Sequence, residues 1–230
     1  MELVHGDICG PVKPTTLGGK TLFLLLVNDK SRFMWLILLQ AKSGAVEAIK
    51  HIQARAEVEC GKKMRVLRMD QGRKFTSASF GKYCNELSMQ WHLTAPYSPS
   101  RIVVEHLNQT IVGTARSLLM SVRMPGRLWG EAIMTAVYLL NRSPTRSLDG
   151  KTPHEAWYNK KPAVHHLRVF GCITYMKVVR PHLAMLDPRR LKVIFIGYKP
   201  GSKAYRLYDP MGGGELTCCA TLSSTRVITV

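Results

Sequence analysis

Apolar residues along the chain fall first into short, near-continuous runs and later into a helical stripe. Residues 21–27 (TLFLLLV) and 33–39 (FMWLILL) flank the turn-forming Asn28-Asp29-Lys30-Ser31. Runs with so few polar breaks predict strands of a sheet covered on both faces. Residues 3–8, 64–69 and 89–93 are further strand candidates, the second leading directly into Asp70. Ser43 is placed to cap a helix over residues 45–60, with Val46, Ile49, Ile52 and Ala56 on one side and Gly61 as its stop. Phe80, Tyr83, Cys84 and Leu87 have helical spacing behind Thr76-Ser77, and residues 96–101 read as a Pro/Ser loop. The clearest helix carries Val104, Leu107, Ile111, Ala115, Leu118 and Val122. These recur every three or four residues, the apolar stripe of a helix with one buried side. Glu105 lies in its first turn, just off that stripe. Residues 127–140 predict another helix, stopped by Asn141-Arg142-Ser143-Pro144.

After Lys151-Thr152-Pro153 the texture changes. Short β-type runs at residues 167–175, 193–198, 204–208 and 226–230 are separated by Gly/Pro turns. The pattern predicts an α/β core over residues 1–150 and a small basic β-rich extension over residues 151–230. Trp35, Trp91, Trp129 and Trp157 stand inside these patterns and are expected in the core rather than as base-stacking platforms.

Composition narrows the class. At 46% hydrophobic over 230 residues, the chain can bury a core that a disordered basic tail could not. No window reaches the roughly 18 consecutive apolar residues of a membrane span. The first residues, Met1-Glu2-Leu3-Val4-His5, lack the basic-then-apolar signature of a signal peptide. The expectation is a soluble chain without a membrane partner. Cys9, Cys60, Cys84, Cys172, Cys218 and Cys219 form no C-x-x-C pair. They are expected to be free thiols in a reducing compartment, with no structural zinc.

Charge narrows it further. Lys and Arg number 33 against 15 Asp and Glu, a net +18. Such a surface repels itself unless an anion neutralises it, and nucleic acid rewards each contact by releasing condensed counterions. The excess is densest in residues 151–230, with 13 basic and 4 acidic side chains.

Three acids sit where an α/β sheet would gather them: Asp7 in the first strand, Asp70 after another, Glu105 at a helix start. Strand ends at one edge of such a sheet are where ligand sites form. Oxygen donors of this kind suit Mg²⁺ or Mn²⁺, one ion or two, holding substrate phosphates. Residue pattern alone leaves an alternative open, that all three are solvated strand-end and cap carboxylates.

A larger set of motifs bears on the choice. His5-Gly6-Asp7-Ile8-Cys9-Gly10-Pro11, Arg68-Met69-Asp70-Gln71-Gly72 with Phe75, and Thr94-Ala95-Pro96-Tyr97-Ser98-Pro99 leading to Glu105 occur in that order. They are followed by Tyr138-Leu139-Leu140-Asn141-Arg142-Ser143-Pro144, Lys151-Thr152-Pro153-His154-Glu155-Ala156-Trp157, Val169-Phe170-Gly171-Cys172 and Tyr205-Arg206-Leu207-Tyr208-Asp209-Pro210. Together these resemble the integrase core of Ty1/copia-type LTR retrotransposons. The resemblance implies an RNase H-like core, a mixed five-stranded sheet flanked by helices, followed by a small β-rich extension.

It further implies a Mg²⁺-dependent DDE polynucleotidyl transferase that joins 3′ ends of element cDNA to target DNA using two ions. Asp7, Asp70 and Glu105 would be its metal-binding triad. Arg73, Lys74, Arg101, His106, Arg189, Arg190 and Lys192 are the candidate DNA contacts. DNA would be the partner, further copies of the chain its co-workers, and the nucleus its place, after a cytoplasmic particle.

The sequence also departs from the family. Glu105 follows Asp70 by 35 positions, one fewer than is usual, and the Asn-Gly of the preceding loop is replaced by Ser100-Arg101-Ile102. A loop can absorb one residue, whereas absorption by the helix turns Glu105 by about 100°. His106-Leu107 stands where a basic pair usually follows the glutamate. Three alternatives follow: a catalytically inactive nucleic-acid binder of the same fold, an assembly module for an acidic protein, and a nuclease acting on RNA.

Overall fold

The computed structural model describes residues 1–69, 78–93, 99–177, 189–212, 214–219 and 222–226, with backbone alone at 78–79, 93, 99–103, 215 and 222–226. Strands β1 (Leu3–Cys9), β2 (Leu22–Asn28), β3 (Met34–Leu39), β4 (Val66–Met69) and β5 (Gln90–Leu93) form one sheet in the order β3-β2-β1-β4-β5. The first three strands are antiparallel to their neighbours, and β4 and β5 are added in parallel. Leu22, Leu24 and Leu26 pack with Ile49 and Ile52 of helix α1 (Ala45–Cys60) and Phe80 of α2 (Ala78–Glu86). Phe23, Leu25 and Val27, alternating with them, meet Ile111 and Ala115 of α3 (Pro99–Ser121) and Ala132 and Ile133 of α4 (Trp129–Leu140). Side chains alternate between sheet faces, so an uninterrupted apolar strand needs helices on both. β2 is buried at every position, while β3, at the edge, is only partly so.

Several local expectations change. Ser43 does not cap α1. It lies in the 3-10 turn Lys42–Gly44, and Gly44 precedes the helix without a side-chain cap bond. Gly61 does end it, at φ 65° with its N–H on the Glu57 carbonyl. Helix α3 starts at Pro99, inside the loop predicted over 96–101. Proline suits a first helical position because that N–H would be unpaired anyway. A short helix that the sequence reading missed, α5 (Pro153–Tyr158), begins the same way, with the Thr152 hydroxyl accepting the Glu155 N–H at 3.0 Å. Its Trp157 stacks on Phe33 and meets Trp35 edge-on, centroids 5.6 and 4.9 Å apart. This helix therefore docks on the first sheet.

The second sheet is antiparallel: β6 (Ile173–Lys177), β7 (Arg190–Tyr198), β8 (Tyr205–Asp209), β9 (Glu215–Cys219) and β10 (Leu222–Arg226), in the order β10-β6-β7-β8-β9. Only the end of the predicted 167–175 run is strand, because Gly171 turns the chain at φ +81°. Strand β10 includes Arg226, the first residue of the run predicted over 226–230, and 227–230 lie outside the described residues. β9 was not predicted.

Helix α4 joins the two layers. Ile194 and Ile196 of β7 pack beside Ile133 and the first sheet's inner residues in one cluster, while Val193, Phe195, Leu207, Cys172 and Tyr198 form a smaller one. The Thr135 hydroxyl donates to the Ile196 carbonyl at 3.0 Å. A Cβ on Gly197 would lie 2.6 Å from that hydroxyl, so the close approach of β7 requires glycine. Glu131 takes two bonds from the Arg206 guanidinium at 2.5 and 2.6 Å. At the helix end, Asn141 accepts the Met34 N–H at 2.9 Å and donates to the Met34 carbonyl at 2.8 Å. Trp35 and Trp129 are buried, Trp91 and Trp157 pack on the core, and Cys9, Cys60, Cys84, Cys172 and Cys218 are free thiols. Among the described residues, no helix is long and apolar enough to cross a membrane.

Candidate metal and nucleic-acid site

Asp7 stands near the end of β1, one residue beyond the pairing of Gly6 with Met69 of β4. A Cβ on Gly6 would come within 2.6 Å of a Leu26 methyl and collide with the Met69 side chain, so glycine is what lets β2 and β4 close over β1 here. Val4 and Ile8 face the α1 side and Cys9 the α3 side. Strand alternation puts Asp7 on the α3 side too. There the Asn108 amide donates to Asp7 Oδ2 at 2.6 Å, while Oδ1 takes the Ile8 N–H at 2.8 Å. Asn108 is 6% exposed, and its Oδ1 is buried with no hydrogen-bond partner. Sequence reasoning missed this residue. A polar side chain beside an apolar helical stripe was the available signal.

Glu105 lies on α3 three residues before Asn108 and is exposed. Three residues are 300° of helix, so the two side chains leave the axis about 60° apart and one turn apart in height. The rotation of α3 is held by Val104, Ile111 and Ala115, buried against the sheet. The structure thus brings Asp7 against Asn108 of α3, about one turn from Glu105 on the same helix. Asp70, Arg73 and Lys74 lie outside the described residues. So does the Arg101 side chain, although its backbone is in α3. Among the described residues no three His, Cys, Asp or Glu gather closely enough to hold a metal ion.

The donor chemistry nevertheless fits a hard divalent cation. Asp7 is a carboxylate oriented by two hydrogen bonds, as metal-ligating carboxylates usually are, and a buried amide oxygen beside it lacks a donor. Local electrostatics follow the same carboxylate. Burial first, and then the Asp7 charge, push the Cys9 thiol above its ordinary range. Burial holds His5 below the usual imidazole value, partly offset by Asp29, whose carboxylate is 3.3 Å away.

The remaining candidates are dispersed. His106 is exposed on α3. Arg189, Arg190 and Lys192 are exposed at the start of β7, on the second sheet, where Arg190 pairs with Lys177 and Lys192 with Tyr175 in register.

Residues 1–99 match the family described as integrase core domain, and residues 172–213 the retroviral polymerase SH3-like domain. The retrovirus-related Pol polyprotein from transposon TNT 1-94 of Nicotiana tabacum is 37% identical over 212 residues, 92% of this chain and 16% of that polyprotein. The Pol polyprotein from transposon RE1 of Arabidopsis thaliana is 28% identical over 185 residues, 80% of this chain and 12% of the relative. The chain therefore spans a small part of these relatives.

Among solved structures, a simian T-cell lymphotropic virus intasome in complex with a PP2A regulatory subunit aligns at TM-score 0.56 and 14% identity, over 94% of this chain and 75% of that one. The HTLV-2 integrase catalytic core domain in complex with magnesium, a trimeric form, aligns at TM-score 0.51 and 19% identity, over 68% of this chain and 95% of that one. At such identities the likeness concerns the fold: a mixed five-stranded sheet flanked by helices, with a separate antiparallel sheet after it.

Proposed function

Because this chain belongs to the integrase cores of Ty1/copia-type retrotransposons, we propose that it acts in DNA integration, transferring 3′ ends of element cDNA to target DNA. The observation that carries the reading is the Asp7–Asn108 bond at the end of β1, with Glu105 one turn earlier on the same helix. Asp7, Asp70 and Glu105 would hold Mg²⁺ or Mn²⁺. Two such ions, when bound, activate an attacking oxygen and stabilise a leaving one in phosphoryl transfer.

The chain's own residues supply orientation. With Oδ1 on the Ile8 N–H and Oδ2 on the Asn108 amide, the Asp7 carboxylate is held in one rotamer. Asn108 is a positioning residue: it acts on the substrate only through Asp7. The net +18 draws the polyanion, and Arg189, Arg190 and Lys192, with His106, Arg73, Lys74 and Arg101, would grip backbone phosphates. Such contacts place DNA without reading its sequence. Further copies of the chain, and action in the nucleus, belong to the same proposal.

A strand-transfer assay on element-end DNA with Mg²⁺ tests it. Asp7→Asn and Asp70→Asn are each expected to lower joining by about 100-fold or more, since the metal contributes several kcal/mol to such a transition state. Asn108→Leu is expected to raise the Mg²⁺ concentration needed by about 10–100-fold, with less change at saturating ion. Equal joining by the wild type and both aspartate variants would overturn the chemistry. Salt-sensitive DNA binding without joining would leave a non-catalytic binder, and cleavage of RNA alone would make it a nuclease.

A further inference from the structure

Away from Asp7 of the central strand, at the β3 edge of the first sheet, a cavity of about 790 Å³ opens between β3, α1, α4, α5 with the segment after it, and the turn after β7. Its basic lining consists of His51, Arg55, Arg142, His154, Lys160 and Lys199, beside Tyr138, Tyr158 and Tyr198, with no carboxylate among the lining residues. Arg55 already has Glu59 at 2.7 Å. Arg142, Lys160 and Lys199 have no acidic partner among the described residues.

Arg142 is the most constrained of these cations. Its guanidinium lies 3.5 Å over the Tyr138 ring and donates to the Tyr138 carbonyl at 3.2 Å, while its Nε is shielded from solvent and has no partner. Tyr138 is itself pinned, stacked on Tyr198 with centroids 4.1 Å apart and with its hydroxyl 2.6 Å from His166 Nε2. Burial lowers the Arg142 pKa, and burial followed by the Arg142 charge lowers those of His154 and His166.

We propose that this cleft binds an oligophosphate anion, with Arg142 as its half-buried anchor and Lys160 and Lys199 closing over it. The size is that of a small-ligand site. A planar guanidinium flanked by mobile ammonium groups matches adjacent phosphate groups better than a lone carboxylate. The same chemistry could be offered by a free nucleoside polyphosphate or by the backbone of a nucleic-acid strand. The site does not depend on the integrase chemistry, because it shares no residue with Asp7, Asp70 and Glu105.

Calorimetric titration of the full chain with inorganic tripolyphosphate, at about 0.15 M salt, is expected to saturate at one site. Lys160→Glu with Lys199→Glu, both at exposed positions, should weaken binding by about tenfold or more, the range of charge-assisted hydrogen bonds. Lys62→Glu with Lys63→Glu makes the same charge change on another exposed surface and should leave binding within about twofold, because salt screens distant charges. Arg142→Met should abolish binding. The lysine pairs keep the test decisive should that variant fold poorly. Binding that never saturates, or that falls equally in both lysine pairs, overturns the proposal. Displacement by a nucleoside triphosphate but not by a single-stranded oligonucleotide assigns a free anion, and the reverse assigns a nucleic-acid backbone.

Discussion

Both sheets have five strands, yet they keep apolar surface from water by different means. In the first, helices close both faces, and β2 is buried from end to end. Among the described residues, the second has no helix pair of its own. One face leans on α4, and the other closes over a small cluster around Phe195 and Leu207. A helix that serves two layers must be apolar nearly all round. α4 is, and each buried polar group on it has a defined partner: Glu131 with Arg206, Thr135 with Ile196. The lesson is that the second sheet's stability is borrowed through one helix.

The largest expected effect tests that dependence. Phe23→Ala empties the centre of the first sheet and should cost about 3–5 kcal/mol, with Phe195→Ala toward the lower end of that range. If α4 makes one unit of both layers, amides of β2 and β7 lose hydrogen-exchange protection together in either variant. Opening of β7 while β2 stays protected would split the molecule into independent halves. A smaller effect is expected at the polar tie. Glu131→Gln leaves a half-buried guanidinium without its charge partner and should cost about 1.5–3 kcal/mol by urea unfolding. Replacing Glu131 and Arg206 together by leucine should recover most of that, since a buried pair is often little better than apolar packing. A double variant as damaged as the single would show that the pair contributes more than its removal penalty.

The smallest effect is pH dependence around this junction. His154 and His166 have folded-state pKa values below the ordinary 6.5. The unfolded chain therefore takes up protons first as pH falls. Their contribution is fully present above 6.5 and is lost as pH drops through the lower folded values. The thermal midpoint should decline on acidification below 6.5 and do so less in a His154→Asn, His166→Asn variant; parallel curves would remove the assignment.

Legibility in the sequence followed the strength of local pattern. β1 to β5, α1 and the α3 stripe were readable because burial on known faces imposes a period on the residues themselves. Ser43 misled because a serine before a helix is only a propensity, and the intervening turn placed Gly44 at the start. Helix α5 is six residues long, too short for a period to show, although Thr152-Pro153 with Glu155 carried its start signal. β9 offered ELTCC after three glycines, with no clear alternation. At the acid site, Asp7 and Glu105 stood out by motif, whereas Asn108 acquires meaning only when α3 crosses β1. The cationic cleft was invisible for the same reason: Arg142, Lys160 and Lys199 come from three segments that meet only in the folded chain.

Asn141 carries a consequence of its own. By answering both the N–H and the carbonyl of Met34, one side chain plays the part that a neighbouring strand would otherwise play. A sheet border left open there would invite another polypeptide to add itself and start an aggregate. That end of the border is sealed from within, so an incoming strand finds no open backbone pair at Met34.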